Sequence, residues 1–524
     1  HYLKQWAVNM SLADLGTVTD LLKRFKSATK EYDSFRSIHQ ETYDFVAPTR
    51  ETFRFHSPGQ EKNRHVFDST AVTALEQFAS RIKGSTIPSW KEWAMLVAGS
   101  SIPADSKEEI NKDLEEGTKK FFDALNHSNF DTEINPALVD MGIGTGAIII
   151  DEGEFNSGDT FNFTNVPLSE LYPEKPAQGR IRSAWRKHKV IVSKIEQIWP
   201  GAKLGEQLEK IAKKDPFAEV DILNGQLFNA KDGLYYNVII YEAGKQLIFD
   251  QSFKSQRFIV FRWHVVSGET FGRGVAMQTL PDVRTLNKIV EFKLQSLALA
   301  VGGVYTGVND GIFNPNTVRI APKTIIPVAS NNDQNPTLRP LAQGGDPASV
   351  EFSIRELQEK INKAFFANPL GDVSDPVRSA TENMIRQQEM LKQAGASLGR
   401  LKSELIEPLL EAGLDILTGL GEFPDVQIDG RQITIKHSSP LAKAEDIEDF
   451  QNILTWAQSN IGLVGQEVFM GTAKVEDFPK VTGDMLGIPA ALIRSKTEID
   501  AIGKVAAQAA QQGLGGGAPV EQPV

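Results

Sequence analysis

Cysteine is missing from all 524 residues. Disulfides, thiol nucleophiles and Cys-ligated zinc or iron–sulfur centres are thereby excluded, while a reducing compartment is permitted without being required. Histidine is scarce: the eight residues stand at 1, 39, 56, 65, 127, 188, 264 and 437. No two share the i, i+4 spacing that aims a pair of imidazoles at one metal. Long apolar runs are missing too. The nearest approach, LQSLALAVGGV at 294–304, falls short of the roughly 18 residues that span a bilayer, so no membrane association is expected. Residues 1–10, HYLKQWAVNM, lack the apolar stretch and small-residue cleavage site of a secretory signal. With His at position 1, Met10 is the candidate start, which would leave residues 1–9 outside the native chain. Positive charge is in deficit, 56 Lys and Arg against 67 Asp and Glu, for a net charge of −11. That sign disfavours a surface that grips nucleic-acid phosphates tightly through counterion release.

What is present is an ordinary folded composition, 41% hydrophobic and 23% charged. The chain is about three times a usual domain in length, so a single core is not expected. From 12 to about 126 apolar residues recur at three and four, as in Val72, Leu75, Phe78, Ala79 and Ile82, and predict amphipathic helices. Asp68 and Ser69 are candidate caps for one of these, and Gly84 its candidate end. Between 147 and 264 the pattern turns to β-rich runs: AIIIDEGEF, TFNFTNV, RIRSAWRKHKVIV, LYYNVIIYEAG, KQLIFD and RFIVFRWHVV. Turn residues such as 156–159 and Ala243-Gly244-Lys245 fit antiparallel hairpins, and a short helical insert is expected at 193–214. Thr279-Leu280-Pro281-Asp282 then reads as a helix start, with the helix running to about Val301 and stopped by Gly302 and Gly303. After a Pro-, Gly- and Asn-rich segment to Pro347, Val350, Ile354, Leu357, Ile361 and Phe365 form a second helical stripe. ANPLGDVSDPVR breaks it. Ser379 and Glu382 form a capping box for a third helix through Arg386, Leu391 and Leu401, with a kink expected at Pro408. Short strands at 426–428 and 432–436 precede a helical end from 441 to about 511, and the final GLGGGAPVEQPV is too rich in Gly and Pro to pack. The fold class is α+β, mainly helical.

Catalytic motifs are sought without success. Neither Gly244-Lys245 nor Gly503-Lys504 has the remaining spacing of a phosphate-binding loop. Gly142-Ile143-Gly144-Thr145-Gly146 is followed by a strand where a dinucleotide site needs a helix, which favours a turn or close packing. No nucleophile elbow is present, and Asp372 with Asp375 reads as loop caps or solvated charges sooner than as an acid/base pair. Trp90 and Trp93 fit either a stacking platform or, more often for such residues, burial in a core or subunit contact.

The ordered set of signals resembles the portal, or head-to-tail connector, proteins of short-tailed bacteriophages. It comprises Asp68-Ser69-Thr70, Pro88-Ser89-Trp90 with Trp93, Phe271-Gly272-Arg273-Gly274, and Leu280-Pro281-Asp282 with Leu286-Asn287. Ala380-Thr381-Glu382 with Arg386 and Glu404-Leu405-Ile406-Glu407-Pro408 complete it, and the resemblance covers roughly 21–456. It implies the portal fold. The wing would be 1–278, helical and then β-rich at about 147–265, with stem helices at 279–301 and 348–366 flanking a clip at 302–347. A tunnel loop at 367–378, a kinked long helix returning to the wing at 379–439, a helical crown at 440–511 and a disordered tail at 512–524 would follow.

The resemblance further implies a non-enzymatic ring, of about twelve subunits, at one capsid vertex. Double-stranded DNA would pass through it without sequence specificity during packaging and ejection. The implied protein partners are the terminase large subunit, a tail adaptor, and capsid and scaffolding proteins. Localisation would be the virion, and the host cytoplasm during assembly. No cofactor or metal is implied. Candidate channel residues in the tunnel loop are Asn368, Asp372, Ser374, Asp375 and Arg378; Arg378 would either touch phosphate or pair with Asp375 or a neighbouring subunit. On the second stem helix Glu356, Glu359, Lys360 and Lys363 would face the channel or link adjacent stem helices. Two alternatives stay open, a hydrolase with an unrecognised carboxylate site and a monomeric protein-binding adaptor.

Overall fold

The computed structural model describes residues 15–54, 56–57, 59–99, 104–153, 158–177, 179–302, 305–307, 338–340, 347–367, 395–423, 433–437, 440–475 and 478–486. It divides into two compact units, one of residues 1–83 and 121–425 and one of residues 84–120 and 426–524. Helix and sheet are both present and helix predominates, as an α+β chain requires.

The first unit opens with α1 (Val18–Val46), whose Thr17 and Asp20 form a reciprocal capping box. Helix α2 (Thr70–Thr86) follows. The Asp68 carboxylate accepts the Thr70 N–H at 2.9 Å, so the cap expected from sequence is made. Gly84 is not the helix end. The helix runs on to Thr86 and stops ahead of Pro88, because the residue before a proline is pushed out of helical conformation. The N-terminal region is mainly helical, as expected, with one short strand. Strand β1 (Ala94–Ala98) stands between α2 and α3 (Ala104–His127), and its five residues carry no turn punctuation to announce it.

Helix α4 (Phe130–Ile143) leads directly into β2 (Thr145–Glu152), which lies between β3 (Phe161–Asn165) and a later strand, β9 (Phe258–Arg262). The larger sheet has the order β4-β5-β6-β7-β8, antiparallel throughout: β4 (Leu171–Pro173), β5 (Ala184–Ile191), β6 (Glu219–Phe228), β7 (Tyr235–Tyr241) and β8 (Gln246–Phe253). Its central strand β6 is missing from the sequence expectations. Gly225 and the polar Asp221 and Asn224 break the run, yet Gly225 sits opposite Trp185. A Cβ there would lie 2.3 Å from the Trp185 ring, so the glycine makes room for the indole. One face of this sheet packs Leu223, Leu227, Val238 and Ile240 against Leu21, Phe25 and Ala28 of α1. The other buries Ile222, Ile239 and Ile248 with Ile195 of α5 (Ile195–Ile198) and Leu208 of α6 (Glu206–Lys214), the helical insert expected from sequence.

Helix α7 spans Val275–Gly302, four residues ahead of the expected start. Thr279 is not its cap: its hydroxyl donates back to the Val275 carbonyl at 3.0 Å, and Pro281 lies inside the helix. Burial overrides the local signal, since Val275, Ala276 and Met277 are all buried and supply an extra turn. Strands β10 (Tyr305–Gly307) and β11 (Leu338–Pro340) pair antiparallel before α8 (Pro347–Ala364). After the undescribed residues 368–394 the chain is helical from 395, passes through a π-helical turn at Lys402–Ile406 and continues as Glu407–Gly419. Just ahead of Pro408, where a kink is expected, the helix widens so that the Glu407 N–H reaches the Lys402 carbonyl before a residue with no N–H to give.

In the second unit β1 pairs antiparallel with β12 (Ile433–His437). Helices Pro440–Val464, Gln466–Thr472 and Phe478–Leu486 occupy part of the expected helical end, broken at Gly465. Trp456 packs against Phe469 (5.3 Å) and Phe478 (6.2 Å), while Leu463, Val468 and Met470 stay exposed. Trp90 and Trp93 part company: Trp90 is 76% exposed and Trp93 is buried. Strand 426–428, the tail and the end of the last helical region lie outside the described residues.

Candidate functional site

Helices α7 and α8 pack on one another as an antiparallel pair, a direction visible in two ion pairs. Asp282 near the start of α7 accepts from Lys360 near the end of α8 at 2.9 Å. Lys293, further along α7, meets Glu351 near the start of α8, and the ammonium holds the Glu351 carboxyl below its usual range. The pair is rooted by side chains the sequence motifs contain. Asn287 accepts the Phe67 N–H at 2.7 Å and donates to the His65 carbonyl at 2.9 Å, so it holds the approach to α2. Asp68 caps α2 with one carboxylate oxygen and accepts from Gln358 of α8 at 2.9 Å with the other.

The glycine runs meet at the base of this pair. A Cβ on Gly274 would lie 2.1 Å from the Gly142 carbonyl, and one on Gly272 would lie 2.7 Å from the Gly144 carbonyl. The run at 142–146 is therefore a place of close backbone packing, as favoured over a cofactor loop. Glu404, in the π turn, accepts from Arg262 in a pair with only 2% and 4% of the side chains exposed. Arg262 also donates to the Thr270 and Gly179 carbonyls at 3.2 and 3.1 Å, so this buried charge is fully engaged.

Of the stripe on α8, Ile354, Ile361 and Phe365 are buried, and Val350 and Leu357 are half-buried. Glu356, Glu359, Lys360 and Lys363 all lie on exposed positions of the same helix. Of these, Lys360 joins α7 and α8 within the chain through Asp282. Asn368, Asp372, Ser374, Asp375 and Arg378 lie outside the described residues. Sequence reasoning missed Lys293, Glu351, Gln358 and Arg81, whose partners are distant in the chain and carry no spacing signal. Away from the root the pair exposes large apolar residues, Phe292 (54%), Leu294, Leu297 and Phe352 (71%). Among the described residues no group of three His, Asp or Glu could hold a metal, and no helix is long and apolar enough to cross a membrane.

These features define a class: an α+β chain with a riveted antiparallel helix pair whose outer part keeps apolar side chains uncovered. The profile of the family described as "Bacteriophage head to tail connecting protein" matches residues 18–493. A probable portal protein of Bordetella phage BPP-1 is 22% identical over 540 residues, covering 94% of this chain and 92% of that protein. The chain belongs to the bacteriophage head-to-tail connecting protein family, the resemblance read from its motifs.

Proposed function

We propose that the chain forms the portal ring at one vertex of a phage capsid and acts there as a non-enzymatic conduit for double-stranded DNA. The observation that carries this reading is the α7/α8 pair: a helical hairpin in a head-to-tail connector chain, with Phe292, Leu294, Leu297 and Phe352 exposed where neighbouring copies would cover them. The pair serves as the stem, the chain between the two helices as the clip that docks terminase and then a tail adaptor, and residues 367–378 as the loop nearest DNA. In that loop Asn368, Asp372, Ser374, Asp375 and Arg378 are the candidate contacts. The net charge of −11 per chain supports the mechanism, since a mostly negative ring repels phosphate and lets a duplex slide without being gripped.

Light scattering with negative-stain imaging tests the reading. The expected result is a ring of about twelve copies of the 57.7 kDa chain around an open channel. A monomer that persists across concentration and salt would overturn it.

A further inference from the structure

The end of α8 is built in a way that its helical period does not demand. Phe366 adopts a left-handed conformation, φ 54°, where helices usually place glycine. The Phe366 N–H donates to the Lys363 carbonyl at 3.1 Å and the Ala367 N–H to the Asn362 carbonyl at 2.7 Å, so the helix closes in a Schellman motif around a bulky residue. A non-glycine residue in that region persists only when its surroundings hold it there.

Two side chains of α2 do the holding. Phe78 and Arg81 are three residues apart and share a helix face. The Phe78 ring meets Phe365 edge-on at 6.5 Å, and both are fully buried. The Arg81 guanidinium forks over the two carbonyls that follow, donating to Phe366 O and to Ala367 O at 2.6 Å each. A planar fork fixes both the position and the direction of two successive peptide groups, which a lysine ammonium cannot do. A cation at a helix C-terminus is also favoured by the helix dipole.

The geometry assigns to Arg81 the role of a positioning residue: it sets the point and direction at which the chain leaves α8 for the segment that faces DNA. This rests on the portal reading for the identity of that segment and on the observed hydrogen bonds for the rest. Load applied to the chain beyond Ala367 passes through the fork into α2, and α2 is tied through Asp68 to Gln358 on the same helix α8. Asp68 at the cap of α2 and Arg81 within it thus both hold α8, and α2 acts as a splint along the last part of that helix.

The absence of cysteine allows a single nitroxide label on Ser374→Cys or, as a control on α8 itself, Lys363→Cys. With Arg81→Gln, the label at 374 is expected to move with a roughly twofold shorter correlation time while the label at 363 is unchanged. Oligomer mass should match the parent, and DNA retention in assembled particles should fall. Arg81→Lys, which keeps the charge without the fork, should give an intermediate mobility, and it takes over the test if the glutamine variant does not fold. Unchanged mobility at 374, or equal loosening at 363 and 374, would overturn the assignment. Label mobility does not require a ring. A parent protein that stays monomeric would thus sink the portal reading while leaving the role of Arg81 to be decided by the labels.

Discussion

The two ends of the α7/α8 pair are made from similar residues and meet different fates. At the root Leu280, Val283, Leu286, Ile361 and Phe365 are buried, and Asn287, Asp68 and Gln358 tie the helices to the chain before α2. Toward the outer end Phe292, Leu297 and Phe352 are half exposed or more, and the Lys293–Glu351 pair is partly open to solvent. Burial within one subunit explains the root completely. The outer end holds more apolar surface than a lone subunit covers, and that surplus gives the ring reading its physical motive.

If the contrast is sound, substitutions at the two ends separate cleanly. Ile361→Ala at the root should cost about 2–5 kcal/mol of subunit stability by removing a fully buried side chain, as read from chemical denaturation. Next in size is a pH effect behind the root. His39 is wholly buried among Phe35, Phe53 and Phe271, and burial lowers its pKa from 6.5 to about 3. The unfolded chain takes up a proton there that the folded one refuses, so stability is lost as pH falls below 6.5 toward about 3. The slope from this one group approaches about 1.4 kcal/mol per pH unit. His39→Phe should flatten that slope between neutral and mildly acid pH, measured as denaturation midpoints.

At the outer end, Phe292→Ser combined with Leu297→Ser should leave subunit stability within about 0.5 kcal/mol and abolish ring assembly in sedimentation velocity. Equal loss of subunit stability at both ends would erase the distinction. Smallest of all, Lys360→Ala removes an ion pair whose lysine is 64% exposed. It should change unfolding free energy by less than about 0.5 kcal/mol and lose even that in high salt.

The same contrast explains what the sequence made legible. The α8 stripe was readable because Ile354, Ile361 and Phe365 meet their partners at the helical period, and β7 and β9 because their β-branched and aromatic runs are nearly continuous. Strand β6 was not, because Gly225 has meaning only beside Trp185 on the next strand. The start of α7 was misplaced for a related reason: Thr279-Leu280-Pro281 is a sound local start that burial of the preceding turn overrules. Of the candidate site, the four α8 charges lie on exposed positions of the helix. Arg81 was invisible, since its partners are backbone carbonyls 285 and 286 residues away. No side-chain chemistry in the sequence marks a carbonyl as an acceptor in waiting.

The π turn at Lys402–Ile406 bears on insertion and deletion. An α-helix advances about 100° per residue, so the additional residue in the wider turn resets the rotational phase of everything after it. Leu398 and Leu401 before the turn, Leu405 within it and Leu409, Leu410 and Leu414 after it are all buried. Removing one residue from the turn would restore a regular helix and rotate the downstream leucines away from their sites, besides displacing Glu404 from Arg262. At this turn residue count is therefore constrained alongside the identities of the buried Glu404, Leu405 and Ile406, while the exposed Lys402 and Ser403 should accept substitution.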